Sequence, residues 1–295
     1  MLPRLTQARA PLTRDVLVVN EMGESDTASI PAERALTVYV DKRELVTLMT
    51  LGAHPELLVL GFLRNQRLVA SVAEVESITV DWEVGAAAVK TRQGISDIEA
   101  RTAKRVVTTG CGQGSVFGDL MAEVDSITLP AATLSQAELY GIVNAIRLQE
   151  STYKSAGSVH GCALFQGGEM LTFVEDVGRH NAIDTIAGWM WMQGTGLAAA
   201  QPTQAAEPAP LPVQPPMVFY TTGRLTSEMV IKSAQMGVAI VISRSGITQM
   251  GLDVARRVGL CSIGRAINKR FLCYSGAQRL GLQADLAGAR LRAVA

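Results

Sequence analysis

At 295 residues the chain can hold two domains, and its 27 Lys and Arg against 27 Asp and Glu leave no net charge to draw it toward nucleic acid or an anionic membrane. Apolar runs such as VAIVI at 238–242 fall far short of the ~18 residues that cross a bilayer, and the opening MLPRLTQARAPLTRD has neither an apolar core nor a small-residue cleavage site. The four cysteines, Cys111, Cys162, Cys261 and Cys273, form no C-x-x-C pair, which argues against a zinc ribbon or a thioredoxin-type dithiol.

What remains is a cytoplasmic enzyme or accessory protein. Residues 1–32 are polar, show no apolar period and are expected to form a flexible arm. From Ala35, ALTVYV, a DKR turn and ELVTLMT predict a β-hairpin, and HPELLVLGFLR predicts a helix with Pro55 at its first position. SITVDWEV and AAAVKTR suggest a second antiparallel pair. RVVTTG then predicts a strand that delivers Cys111 to a glycine-rich turn, closing a small β-rich domain over residues 33–125.

In LSQAELYGIVNAIRL, Ser135 and Glu138 have capping-box spacing, and Leu139, Ile142, Val143 and Ile146 form one helical stripe. GCALF, a Gly167-Gly168 turn and EMLTFV predict a hairpin, and EDVGRHN a polar loop before the helix AIDTIAGWMWM. The strands MVFYTT and VAIVIS then alternate with the helices SEMVIKSAQM and TQMGLDVARRV, as in an α/β layer domain, here residues 126–295. Residues 193–216, rich in Ala, Pro and Gln, are expected to be a mobile insertion in that domain, dispensable for folding.

Four places carry groups suited to chemistry. Cys111 stands in GCGQG, where glycines would let a ligand approach and leave the thiol uncovered; a buried inert cysteine fits the spacing as well. EDVGRHN is either a helix start capped by Asp176 or Asn181, or a polar site with Arg179 on an anion and His180 as donor or proton carrier. Arg224 follows a strand at the end where α/β sheets meet ligands. Arg265, Lys269 and Arg270, within GRAINKRF, make either a solvated basic turn or a pyrophosphate site. Cys162, Cys261 and Cys273 lie in apolar strands and are expected to be structural.

The motifs TTGCGQGS, GSVHGCALF…EDVGRHNAID, TTGRLTSEMVIKSAQMGV and GLCSIGRAINKRFLCYSG together resemble the FdhD family of sulfur carriers required for active formate dehydrogenase. The resemblance runs from about residue 33 to 277. It implies an α/β (α+β) protein: a small β-rich N-terminal domain joined to a cytidine-deaminase-like layer domain. It also implies a homodimer that takes sulfur from a cysteine desulfurase and passes it to bis-molybdopterin guanine dinucleotide, the molybdenum cofactor, with GDP as an analogue. Cys111 aligns with the persulfide-carrying cysteine of the family's C-G-x-C-G loop. Arg265, Ala266, Ile267, Asn268, Lys269 and Arg270 align with its cofactor-contacting loop.

The chain departs from the pattern at Gly114, where the family carries a second cysteine, at Lys269, where it carries glycine, and at RNQ 64–66. A zinc deaminase would need H-x-E and P-C-x-x-C, and His160 is followed by Gly-Cys, so no zinc chemistry is expected. The leading expectation is therefore a sulfurtransferase acting through Cys111. The alternatives are a cofactor or guanine-nucleotide chaperone without sulfur transfer and a nucleotide-sensing regulatory protein.

Overall fold

The structure, a computed structural model, describes residues 1–95, 98, 106–107, 114–115, 124–194, 215–283 and 285–286. The chain begins with β1 (Arg4–Leu5), β2 (Thr13–Val19), β3 (Ser25–Pro31), β4 (Arg34–Val40), β5 (Arg43–Thr50), α1 (Pro55–Asn65), β6 (Val75–Asp81), β7 (Ala86–Thr91), β8 (Val106–Val107) and β9 (Gly114–Ser115). Next come β10 (Leu134–Ser135), α2 (Gln136–Leu148), α3 (Thr152–Ala156), β11 (His160–Gln166), β12 (Glu169–Asp176) and α4 (Arg179–Met192). It closes with β13 (Met217–Thr221), α5 (Ser227–Gln235), β14 (Ile240–Ser243), α6 (Gln249–Arg257), β15 (Cys261–Ile267), β16 (Arg270–Ser275) and β17 (Leu280–Gly281). Among the described residues no helix is long and apolar enough to cross a membrane.

Packing divides this mixed α/β chain into two compact units. One is Met1–Val124 with Glu150–Cys162 and Phe173–Ala205; the other is Asp125–Gln149 with Ala163–Thr172 and Ala206–Ala295. The sequence reading cuts the chain once, after residue 125. The division by packing also passes through β11 and β12 and assigns α3 and α4 to the first unit. Most of the expected insertion at 193–216 lies outside the described residues.

In the first unit, a five-stranded sheet runs in the order β1-β6-β7-β4-β5. Leu36, Val38 and Val40 alternate inward along β4 and are buried, the period-2 pattern of a strand with one covered face. Helix α1 starts at Pro55, whose missing N–H costs nothing in a first turn, and it buries Leu58, Leu60, Phe62 and Leu63. It crosses α4 at two glycines. A Cβ on Gly61 would lie 1.7 Å from the Asp184 carbonyl oxygen, and one on Gly188 would lie 2.0 Å from that of Leu57. Beside the crossing, Arg64 Nη1 donates to the Ala187 carbonyl at 3.1 Å, its guanidinium lies 5.2 Å from the Trp191 ring centroid, and Asn65 Nδ2 donates to Asp184 Oδ1 at 2.7 Å. Burial lowers Arg64 to about 10.

The flexible-arm expectation for residues 1–32 is corrected. β2 and β3 form an antiparallel hairpin from Thr13↔Pro31 to Val19↔Ser25. Asn20 closes its turn by accepting from the N–H groups of Met22 at 2.9 Å and Glu24 at 3.0 Å through its side-chain oxygen. Leu17 and Val19 remain 84% and 69% exposed, so no buried face imposed the alternation by which strands are recognised.

The second unit is built on the six-stranded order β12-β11-β13-β14-β15-β16, to which it contributes Ala163–Thr172 of the β11–β12 hairpin. β13, β14 and β15 are parallel, with α5 and α6 as crossovers, and β16 returns antiparallel to β15. Ile240 to Ser243 are all buried, as expected of a central parallel strand. Helix α2 starts with the expected capping box, Ser135 accepting from the Glu138 N–H while Glu138 accepts from that of Ser135.

Candidate functional site

The expected anion loop, Arg265–Arg270, is the end of the β15–β16 hairpin. Asn268 and Lys269 make the turn between Ile267 and Arg270, which pair across the ladder. Asn268 takes φ 54°, a left-handed conformation that asparagine tolerates better than most residues. The ladder is irregular between Gly264 and Ile267. Arg265 sits there at φ 50°, its N–H donating to the Ser245 carbonyl at 2.7 Å. Only glycine fits before it, because a Cβ on Gly264 would lie 2.7 Å from the Tyr274 ring and 2.8 Å from the Ser245 carbonyl oxygen.

Around this loop lies an open cavity of about 1110 Å³, lined by Arg265, Ile267, Asn268, Lys269 and Arg270. The sixth loop residue, Ala266, is buried instead. Phe271 and Leu272 continue the lining along β16, and Gln136 and Tyr140 supply it from α2. Among the described residues no carboxylate lines the cavity, and its three cations are exposed. The site thus offers positive charge beside apolar and aromatic surface, which suits a phosphate joined to a flat ring.

The contribution of α2 was not visible in the sequence. Tyr140 Oη donates to the Lys269 carbonyl at 3.1 Å and accepts from Gln136 Nε2 at 2.7 Å, and its ring meets Phe271 edge-on at 6.2 Å. Gln136 is held by the Gln283 N–H, which donates to its Oε1 at 2.8 Å. A Gln and a Tyr four residues apart on the helix were the available signal, but nothing local says what they face.

None of the other expected site residues is among the described lining of this cavity. Arg224 is exposed just beyond β13 and is not part of the lining. Arg179 and His180 belong to the first unit, each 3% exposed in the first turn of α4. Cys111 lies outside the described residues. In the chain it falls between β8 and β9, which pair Val106↔Ser115 and Val107↔Gly114.

Within EDVGRHN, the capping expectation is corrected. The N-cap of α4 is Gly178, with no side-chain cap bond. Asp176 instead acts as a bolt: Oδ2 accepts from Thr50 Oγ1 at 2.5 Å and the Leu51 N–H at 3.1 Å, and Oδ1 from the Gly178 N–H at 3.1 Å and Asn181 Nδ2 at 2.7 Å. Burial pushes this carboxyl up despite those four bonds. Glu175 accepts from the N–H groups of Thr152 at 2.5 Å and Tyr153 at 3.1 Å, at the start of α3. From the GRLTSEMVIKSA motif, Glu228 and Lys232 form a buried ion pair along α5 at 3.3 Å.

The cysteine expectation is corrected at one position. Cys162 and Cys261 are buried, whereas Cys273 is half-buried. Interaction with the Cys273 thiol, together with burial, pushes Cys261 up, and the same interaction holds Cys273 below the ordinary thiol range; Cys273 Sγ also donates to the Ser275 carbonyl at 3.3 Å. Desolvation alone, the basis of the expectation, misses a partner twelve residues away.

The sequence profile of the FdhD/NarQ family matches residues 31–281. The chain belongs to that family. Among curated relatives, Sulfur carrier protein FdhD of Listeria innocua is 27% identical over 257 residues, which is 86% of this chain and 92% of the relative. Its namesake in Staphylococcus haemolyticus is 25% identical, over 86% and 90%, and that of Bacillus subtilis 27% identical, over 84% and 88%. A solved Desulfotalea psychrophila structure, described as a candidate formate dehydrogenase accessory protein, shares the fold. Its TM-score is 0.69 over 92% of this chain and 100% of its own, at 23% identity.

Proposed function

We propose that the chain is a sulfur carrier for formate dehydrogenase maturation, acting as a cytoplasmic homodimer. The Cys111 thiolate attacks the outer sulfur of a cysteine desulfurase persulfide. The donor's S–S bond breaks, its electron pair leaves on the desulfurase cysteine, and Cys111 holds the sulfur as a persulfide. The β15–β16 loop grips the guanine dinucleotide of the bis-molybdopterin cofactor that receives this sulfur. The observation that carries the reading is the cavity whose described lining has three exposed cations, two aromatic side chains and no carboxylate. Two guanidinium forks and an ammonium match the acceptors of a pyrophosphate, and Phe271 offers a face to a base.

Titration with GDP tests the loop. Arg270→Ala should weaken binding by ~1.5–3 kcal/mol, the range for hydrogen bonds to charged groups. Unchanged affinity removes the loop from the site. Loading with a desulfurase and cysteine tests the carrier: the Cys111 peptide should gain one sulfur, and Cys111→Ala should abolish activation of formate dehydrogenase while GDP still binds. Full activation by Cys111→Ala would make the protein a cofactor chaperone.

A further inference from the structure

Cys261 opens β15 and Cys273 lies near the end of β16, its neighbour in the sheet. The ladder pairs Ser262 with Ser275 and Ile263 with Cys273, so Tyr274 is the extra residue of a bulge. Side chains alternate along a strand, so Cys261 shares a face with Ile263, and the bulge brings Cys273 to that same face. The end of the ladder is pinned. The Ser262 and Ser275 hydroxyls lie 2.6 Å apart, Ser275 Oγ donates to the Leu260 carbonyl at 2.8 Å, and a Cβ on Gly276 would lie 2.6 Å from Cys261 Cα. The two cysteines are thereby placed on one face of neighbouring strands.

The pair is unequal. Cys261 is 0% exposed, and the neighbouring Cys273 together with burial pushes its thiol up; Cys273 is half-buried, is held below the ordinary thiol range by Cys261, and its Sγ donates to the Ser275 carbonyl at 3.3 Å. An accessible cysteine of lowered pKa beside a buried one is the arrangement of an attacking cysteine and its resolving partner. Cys273 also directly follows Leu272, which lines the basic cavity. The transfer proposed at Cys111 uses neither thiol.

We propose that Cys273 and Cys261 form a second sulfur-handling site, which takes sulfane sulfur from a persulfide and releases it as hydrogen sulfide. The Cys273 thiolate attacks the outer sulfur of R–S–SH; the bond to the donor sulfur breaks and RS⁻ leaves, giving Cys273–S–SH. The Cys261 thiol then attacks the inner sulfur. A Cys261–Cys273 disulfide closes, the outer S–S bond breaks, and the outer sulfur departs with that electron pair and the Cys261 proton as H₂S. The two cysteine sulfurs lose two electrons and the sulfane sulfur gains them. A low-molecular-weight thiol reductant reopens the disulfide.

The choice of sulfane sulfur as substrate rests on the sulfur-carrier reading, so the test is run on full-length Cys111→Ser protein, where failure of that reading has no effect. Reduced protein is treated with glutathione persulfide, or with glutathione disulfide in a parallel arm, and mapped by mass spectrometry. The persulfide arm should release about one H₂S per chain and join the Cys261 and Cys273 peptides in a disulfide. Cys261→Ser in the same background should release almost none and keep one extra sulfur on Cys273, with the melting temperature as a check on folding. The proposal is overturned if the two peptides stay unlinked or if Cys261→Ser releases H₂S like its parent; glutathione disulfide should link the same peptides without H₂S. The linkage measured in the protein with both cysteines present decides the matter even if Cys261→Ser fails to fold.

Discussion

The same substitution, glycine to alanine, should act with opposite sign in two helices of this protein. At Gly61 in α1, the added Cβ would lie 1.7 Å from the Asp184 carbonyl oxygen and 2.7 Å from the Gly188 N, both backbone atoms of α4. Backbone cannot swing aside, so the helices must part by well over an ångström. Overpacking of this kind costs about 1–3 kcal/mol. The separation also stretches the bonds from Arg64 to Ala187 at 3.1 Å and from Asn65 to Asp184 at 2.7 Å, each worth about 0.5–1.5 kcal/mol. Gly61→Ala should therefore lose about 2–6 kcal/mol, and the thermal midpoint should fall by roughly 10 °C. At the exposed Gly141 in α2, an added Cβ meets nothing within 4 Å. There Gly141→Ala should gain about 0.4–1 kcal/mol by restricting the unfolded chain. Urea titration and thermal melts followed by circular dichroism read both. A Gly61→Ala protein within about 0.5 kcal/mol of its parent would refute the close crossing.

Four further outcomes follow from the contacts described. Tyr140→Phe keeps the ring on Phe271 but loses the hydroxyl bond to the Lys269 carbonyl; GDP affinity should fall a few-fold, and unchanged affinity would show that α2 does not hold the loop. Lys269→Ala should weaken GDP binding less than Arg270→Ala does, because an exposed ammonium acts as a screened point charge; the difference from the parent should vanish at high salt, and equal affinity at low salt refutes it. Iodoacetamide should label Cys273 with a pH midpoint below the ordinary value of ~8.5, and Cys261→Ala should raise that midpoint by removing the neighbouring thiol; an unmoved midpoint refutes the pairing. For Asp176, raised in the folded state, the folded chain binds its proton more tightly than the unfolded chain. Its stabilising contribution is full at low pH and is lost as pH rises through the folded value, so the stability gap to Asp176→Asn should narrow upward from pH ~4, and a widening gap refutes it.

Sequence was most informative where structure is local. Ser135 and Glu138 announced the start of α2 because a capping box closes within one turn, and Leu36, Val38 and Val40 announced β4 because one face is buried. The β2–β3 hairpin escaped notice because its pairing depends on backbone bonds and the Asn20 turn, with Leu17 and Val19 left in solvent. The place of α4 in the first unit escaped for a different reason. It depends on Gly61 and Gly188 letting two backbones touch, and a glycine in a helix pattern does not name the surface it meets.

The site divides along the same line. Its cations were legible because Arg265, Lys269 and Arg270 fall within six positions around a turn whose geometry is set locally by Asn268. The departure at Lys269 also becomes intelligible. The left-handed residues in this loop are Arg265 and Asn268, so Lys269 sits in the turn without backbone strain and gives the cavity a third charge. Gln136 and Tyr140 lie about 130 residues from the carbonyl that Tyr140 holds, and no local period connects them. The Cys261–Cys273 contact depends on one extra residue, Tyr274, in the β15–β16 ladder. Without that bulge Cys273 would face the other side of the sheet, since a shift of one residue reverses every side chain beyond it. Two cysteines that the sequence presents as separate hydrophobic side chains are therefore a chemical pair in the fold, and the residue that makes them so carries no sulfur.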